Sequence, residues 1–239
     1  MFAGPNGSGK STIKRAIPNE LLGIYINPDE LEAELRLSRG IALATRKISI
    51  DIEFVRSFLS DSALMAKEYS PNDIAKIRLV DGFLDYSQIR HSSYLSSATS
   101  DLLRHALLRA GVSFSFETVM SHRDKVEFLC TAYASGYRTY LYYVATDDPE
   151  INVSRVQNRV RQGGHDVPEE KIRTRYVRSL DLLLDAIKCT SRAYIFDNSS
   201  GPGDHFLIAE ITDGTDLEIQ RDDVPDWFDR AVLRKIAEQ

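Results

Sequence analysis

The stretch Gly4-Pro5-Asn6-Gly7-Ser8-Gly9-Lys10-Ser11 decides how the rest of the chain is read. It fits the pattern G-x-x-x-x-G-K-S, follows the apolar Met1-Phe2-Ala3 and leads into the helical pattern that begins at Ser11. Glycines let backbone amides turn inward around phosphates, and the start of the following helix adds partial positive charge. Gly4, Pro5, Asn6, Gly7, Ser8, Gly9, Lys10, Ser11 and Thr12 would form the cradle. Lys10 would reach the β- and γ-phosphates of ATP or GTP, and Ser11 would ligate Mg²⁺. A glycine-rich turn that binds nothing does not account for the lysine, the serine, the apolar stub and the helix together.

Outward from this loop, composition sets bounds. The 239 residues suit one large α/β domain, expected here as a single domain over 1–239. A net charge of −5 argues against a dedicated nucleic-acid binder, which usually carries a basic face. No stretch approaches the 18 or so apolar residues that span a bilayer, and the N-terminus does not resemble a signal peptide. Cys130 and Cys189 stand in no C-x-x-C pattern. Two cysteines in a chain of this size read as unpaired thiols in a reducing, cytoplasmic setting.

The rest of the chain alternates strand and helix. Residues 23–26 read as a short strand, and Asn27-Pro28-Asp29-Glu30 as a turn from which Asp29 can cap a helix over 31–37. Residues 38–91 read as a mostly helical insertion covering one side of the sheet, with 79–89 ambiguous. A long helix over 94–110 ends at Gly111. A strand over 112–116 leads to Glu117-Thr118. Then follow a helix over 125–134, a strand over 139–145, helices over 151–160 and 168–187, and a strand over 193–196. Asp213-Gly214 joins two β segments as a hairpin, and a helix over 227–237 closes the chain. Such alternation predicts an α/β fold with a mainly parallel sheet and helices on both faces. Ligands in such sheets lie past the carboxyl ends of the strands, which singles out the loop, Asp29, Glu117, Asp147-Asp148 and Asp197-Asn198.

Asp29, after the second strand, could act as general base on a substrate hydroxyl or only cap its helix. Glu117 could hold Mg²⁺ through water, bind a substrate hydroxyl, or be a solvated loop acid. Thr118, Ser121, His122 and Arg123 could shape a substrate pocket. Arg155, Arg159, Arg161, Arg173 and Arg175, with Gly163-Gly164-His165 between them, form a basic segment. It reads either as a lid over the γ-phosphate, with 155–187 as the lid region, or as a solvated pair of basic helices. Tyr140, Tyr142 and Tyr143 read as sheet packing.

These pieces together resemble the zeta-toxin-like P-loop kinases. The resemblance rests on Ala3 to Thr12, Ile26-Asn27-Pro28-Asp29-Glu30, Ser115-Phe116-Glu117-Thr118, Arg155 to Pro168 and Tyr194-Ile195-Phe196-Asp197-Asn198. It covers residues 1–37 and about 92–211. It implies a P-loop NTPase fold of three α/β/α layers around a five-stranded core in the order 2-3-1-4-5. It also implies ATP-dependent transfer of phosphate to a hydroxyl, the acceptor in the better-known toxins being a UDP-activated amino sugar. Asp29 would be the base and, with Glu117 and Thr118, would bind substrate. Ser11 and Mg²⁺ would hold phosphate with Lys10. Arg159, Arg161 and Arg175 would contact the γ-phosphate, and an antitoxin protein would be the partner. Three departures stand out: only three residues precede Gly4, residues 38–91 match nothing in the family, and the Gly-Gly-His lid differs from that of the sugar-nucleotide kinases. A second reading is an ATP-hydrolysing switch acting on a protein partner.

Overall fold

The computed structural model describes residues 1–164, 166–201 and 204–238. The chain divides into two compact units: Met1–Pro18 with Glu117–Gln239, and Asn19–Phe116. The first opens with β1 (Phe2–Ala3) and α1 (Lys10–Ala16). The second holds α2 (Asn19–Leu22), β2 (Ile24–Ile26), α3 (Pro28–Ser38), β3 (Gly40–Ala42), α4 (Ile52–Ser60), α5 (Pro71–Ala75), β4 (Arg78–Val80), β5 (Phe83–Asp85), α6 (Ser93–Arg109) and the start of β6 (Phe114–Thr118). The chain then returns to the first unit with α7 (Arg123–Ala134), β7 (Tyr140–Ala145), α8 (Pro149–Arg161), α9 (Glu169–Asp181), α10 (Leu183–Ile187) and β8 (Arg192–Asp197). It ends with the hairpin β9 (Phe206–Thr212) and β10 (Asp216–Ile219), then α11 (Asp226–Phe228) and α12 (Arg234–Ala237), with a π-helical turn between these two helices.

In the first unit, β1 pairs in parallel on one side with Glu117 and Thr118 of β6 and on the other with Tyr142 and Tyr143 of β7. β7 pairs in parallel with β8. The two residues of β1 suffice for a central strand because both edges are bonded and Phe2 and Ala3 are buried. β9 and β10 extend the sheet antiparallel. Their three-residue connection, Asp213-Gly214-Thr215 between the paired Thr212 and Asp216, places both Asp213 and Gly214 at positive φ. On one face Phe2, Tyr142 and Tyr194 stack at 5.1 Å spacing, and Tyr143 is buried, so these tyrosines pack the sheet as expected. In the second unit β2 pairs in parallel with Phe114–Phe116 of β6. The pairings are those of the expected order 2-3-1-4-5: a P-loop NTPase-like α/β fold with a mainly parallel sheet.

Three expectations change. Residues 38–91 are not mostly helical: β3, β5 and β4 form an antiparallel sheet in that order. Its hairpin turns on Asp81 and Gly82, both at positive φ. Asp29 does not cap its helix. Asn27 does, its side-chain oxygen accepting the Asp29 N–H at 2.9 Å, with Pro28 in the first turn. The cysteines are not free thiols, because Cys130 and Cys189 form a disulfide. A separation of 59 residues leaves no pattern in sequence, but packing of α10 on α7 brings the two Cα atoms to 4.7 Å. The cysteine argument for a reducing compartment therefore falls away. No helix among the described residues is long and apolar enough to cross a membrane.

Candidate functional site

The loop between β1 and α1 can wind tightly because three of its residues lack a side chain. Gly4, Gly7 and Gly9 have φ of 137°, 75° and 101°, values other residues rarely adopt. Space is equally decisive. A Cβ on Gly4 would fall 2.0 Å from the Val144 carbonyl of β7, one on Gly7 2.7 Å from the Asn152 carbonyl of α8, and one on Gly9 2.3 Å from Asn198 Nδ2.

Two asparagines beyond the strand ends brace the loop. Asn152 Nδ2 donates to the Asn6 carbonyl at 2.6 Å, and Asn198 Nδ2 donates to the Ser8 carbonyl at 2.7 Å. Asn152 is itself fixed by Thr146 Oγ1, whose backbone carbonyl accepts from the Tyr176 hydroxyl of α9. A loop carbonyl left unpaired in this buried setting would cost about 1–3 kcal/mol, so these amides hold the cradle in shape.

Lys10 is buried and its ammonium donates to the carbonyls of Gly4 and Pro5, each at 2.9 Å. The same Nζ lies 3.9 Å from Glu117 Oε1, and Ser11 Oγ donates to Glu117 Oε2 at 3.5 Å. Parallel pairing of β1 with β6 places Glu117 beside Phe2, at the mouth of the loop. Lysine, serine and glutamate thus converge on one point. Thr118 is differently employed: its hydroxyl accepts the N–H of Met120, a residue at positive φ. Thr12 Oγ1 accepts from Arg15.

The basic segment separates into distinct roles. Arg175, half-buried on α9, approaches Asn6 Oδ1 at 3.5 Å, and burial lowers its pKa. Arg173 is held away in an ion pair with Glu150 that ties α9 to α8 and in one with Glu169 of its own helix. Beneath them Val153, Val156, Val167 and Ile172 form a small core. Arg161 is exposed and bonded to Asn158 of its own helix. Arg159 packs against Gly164, where α8 ends in the Gly163-Gly164 turn. His165 lies outside the described residues. Asp148 caps α8, and Asp197 accepts from Ser199 and from the Trp227 indole, so both are structural.

Asp29 belongs to the second unit. It is exposed in the first turn of α3, whose cap is made by Asn27.

A family model described as an AAA domain, AAA_33, matches residues 1–179 of the 239. The chain belongs to the AAA_33 family. The matched span includes the loop, Glu117, α8 and most of α9. An uncharacterized Haemophilus influenzae protein is 30% identical over 74 residues, which are 31% of this chain and 53% of that protein. The chain thus spans about half the length of that curated relative. Two solved structures share the fold: the AvrRxo1-ORF1:-ORF2 complex in its native form (TM-score 0.51, 16% identity) and with ATP (TM-score 0.50, 15% identity). Each match covers 92% of this chain and 60% of that chain.

Asn152 was not singled out by sequence as a member of the site. Asn198 stood at a strand tip among the candidate positions, but nothing local marks an asparagine as a loop brace.

Proposed function

We propose that the chain is an ATP-dependent kinase that transfers the γ-phosphate to a hydroxyl of a small metabolite. The observation that carries this reading is the convergence of Lys10 and Ser11 on the Glu117 carboxylate at the mouth of a braced phosphate loop. Membership of a P-loop family and the fold shared with an ATP complex support it.

The loop amides and the start of α1 would hold the β- and γ-phosphates, with Lys10 and Arg175 supplying positive charge. Ser11 Oγ and Glu117 are two hard oxygen donors side by side, a set that suits Mg²⁺, which takes few protein ligands and keeps its waters. Bound there, the ion would neutralise charge on the β- and γ-oxygens. Asp29 is assigned as base. It takes the acceptor's proton as the hydroxyl oxygen bonds to the γ-phosphorus, and the bond from that phosphorus to the β-phosphate oxygen breaks, releasing ADP. Glu117 and Thr118 are assigned to substrate as well, and Arg159 and Arg161 to charge over the γ-phosphate on closure.

A UDP-activated amino sugar is the first acceptor to try, and a small antitoxin-like protein the first partner, given the two-protein complex among the structural neighbours. Incubation with Mg·ATP and a metabolite extract, followed by mass spectrometry, should show a phosphorylated product that Asp29→Asn no longer makes. Product formation by that variant would refute the base assignment. Steady ATP hydrolysis without any acceptor would favour the switch instead.

A further inference from the structure

The hairpin β9–β10 lies beyond the residues that the family model matches. β10 is bonded to β9 on one side, and among the described residues no strand is bonded to it on the other. Asp216, Glu218 and Ile219 are exposed and Leu217 is half-buried, so no described segment folds over this edge. An edge strand turns alternate N–H and C=O groups outward, and native edges are commonly blunted by lysine, proline, a bulge or a covering segment. β10 contains neither lysine nor proline, and the irregular step in this part of the sheet falls at Ile195-Phe196, between β8 and β9.

The side chains of β10 alternate in chemistry. Asp216 and Glu218 share one face with their cross-strand partners Thr212 and Glu210. On that side lies a groove of about 410 Å³ lined by Arg192, Glu210, Thr212, Asp216, Leu217 and Glu218. Arg192 is the only cation in this lining, and Glu210 matches its charge in an ion pair. Asp216 and Glu218 enter no ion pair among the described residues, so two negative charges stand unmatched along the edge. Leu217 and Ile219 belong to the other face, where their partners Ile211 and Ala209 are buried. Ile219 keeps 40% of its surface exposed, so that apolar row stops short at the edge. An added strand would meet carboxylates on one face and an unfinished apolar row on the other. A second copy of this chain does not fit. Antiparallel pairing of two β10 edges would set carboxylate against carboxylate, and like charges directly opposite destabilise a sheet. A small cation would answer Asp216 and Glu218 but leave Ile219 and the edge backbone in water.

We propose that β10 is a docking edge for an extended segment of a partner protein that carries lysine or arginine at alternate positions with apolar residues between them. Backbone bonds to the edge would supply affinity, and the alternation would fix which face of the incoming strand meets Asp216 and Glu218. The proposal goes beyond the kinase reading and does not depend on it.

The test is fluorescence anisotropy at physiological salt with labelled peptides of equal length. One alternates lysine and valine, one has the same composition as a lysine block followed by a valine block, and one alternates glutamate and valine. Wild type should bind the alternating cationic peptide at least about tenfold tighter than either of the others. Hydrogen exchange with that peptide bound should slow at amides of residues 216–219. The double variant Asp216→Lys with Glu218→Lys should reverse the preference between the two alternating peptides. It should melt near wild type, because both side chains are exposed. Glu218→Lys alone should show the same change at reduced size. The proposal is overturned if the alternating cationic peptide does not bind, or if the block peptide binds as well, since charge attraction alone would then suffice. It is overturned too if spermine at equal charge displaces the alternating peptide, which would mark a small-cation site. Slowed exchange confined to other parts of the chain, or a charge-reversed variant that still prefers the cationic peptide, would sink it as well.

Discussion

Gly9→Ala is the sharpest test of how the loop is built. Two penalties fall on that position. At a φ of 101° an alanine is held where L-residues are strained by about 1–2 kcal/mol. Its methyl would also sit 2.3 Å from Asn198 Nδ2, so the amide must withdraw from the Ser8 carbonyl it bonds at 2.7 Å. An orphaned buried carbonyl adds about 1–3 kcal/mol. Together these put the loss near 3–4 kcal/mol. Gly136→Ala supplies the control: its φ of 85° imposes similar strain, and nothing lies within 4 Å of the added methyl. That variant should lose only about 1–2 kcal/mol. Urea unfolding of both variants gives the difference directly, since the midpoint should move much further for Gly9→Ala at unchanged slope. Calorimetry should show at least tenfold weaker Mg·ATP binding for Gly9→Ala alone. If the two variants unfold within 0.5 kcal/mol of each other, a value chosen as roughly the error of such measurements, steric contact with Asn198 does not shape the loop.

Three further outcomes follow from the same contacts. Replacing both Cys130 and Cys189 by serine opens a 59-residue loop and should lower unfolding free energy by about 4 kcal/mol; a loss under about 1 kcal/mol in urea would argue that the bond is not formed in solution. Arg175→Ala should weaken Mg·ATP at least tenfold, whereas Arg173→Ala, whose ion pairs are solvent-exposed, should alter affinity less than twofold; equal effects would erase the distinction drawn between them. His205 and His91 both have pKa values pulled below the ordinary 6.5 by burial, so the unfolded chain binds more protons between the folded and unfolded values. Stability contributed by the neutral forms is present above pH 6.5 and is lost as pH falls through the depressed values; His205→Phe should flatten that fall, and an unchanged profile would remove His205 from the account.

Much of the fold could be read from residue patterns because local and long-range preferences agree. The glycines of the loop, the β-rich run before Asp147 and the Asp213-Gly214 turn each specify a backbone that the sheet also needs. Residues 38–91 were misread because strands of three residues are too short to show alternation, although Asp81-Gly82 carried a hairpin signal. The cap at Asn27 rather than Asp29 turned on which of the two side chains flanking Pro28 reaches the backbone, a choice that Pro28 permits either way. At the site, Lys10, Ser11 and Glu117 were legible from motif and strand order. Asn152 was not, and Asn198 was legible only as a strand-tip position and not as a brace, since each acts on a loop 146 or 190 residues away and only tertiary packing creates that proximity. The disulfide was hidden for the same reason.

Lys10 does not wait with a bare charge. Its ammonium is already shared between two carbonyls of its own loop and the nearby Glu117. An arriving triphosphate must therefore win the cation in an exchange, and only the excess of the new contacts over the old ones reaches the affinity. On the kinase reading, discrimination would benefit from this arrangement: a chain of phosphates would offer the lysine more charge than a ligand with one weak negative group.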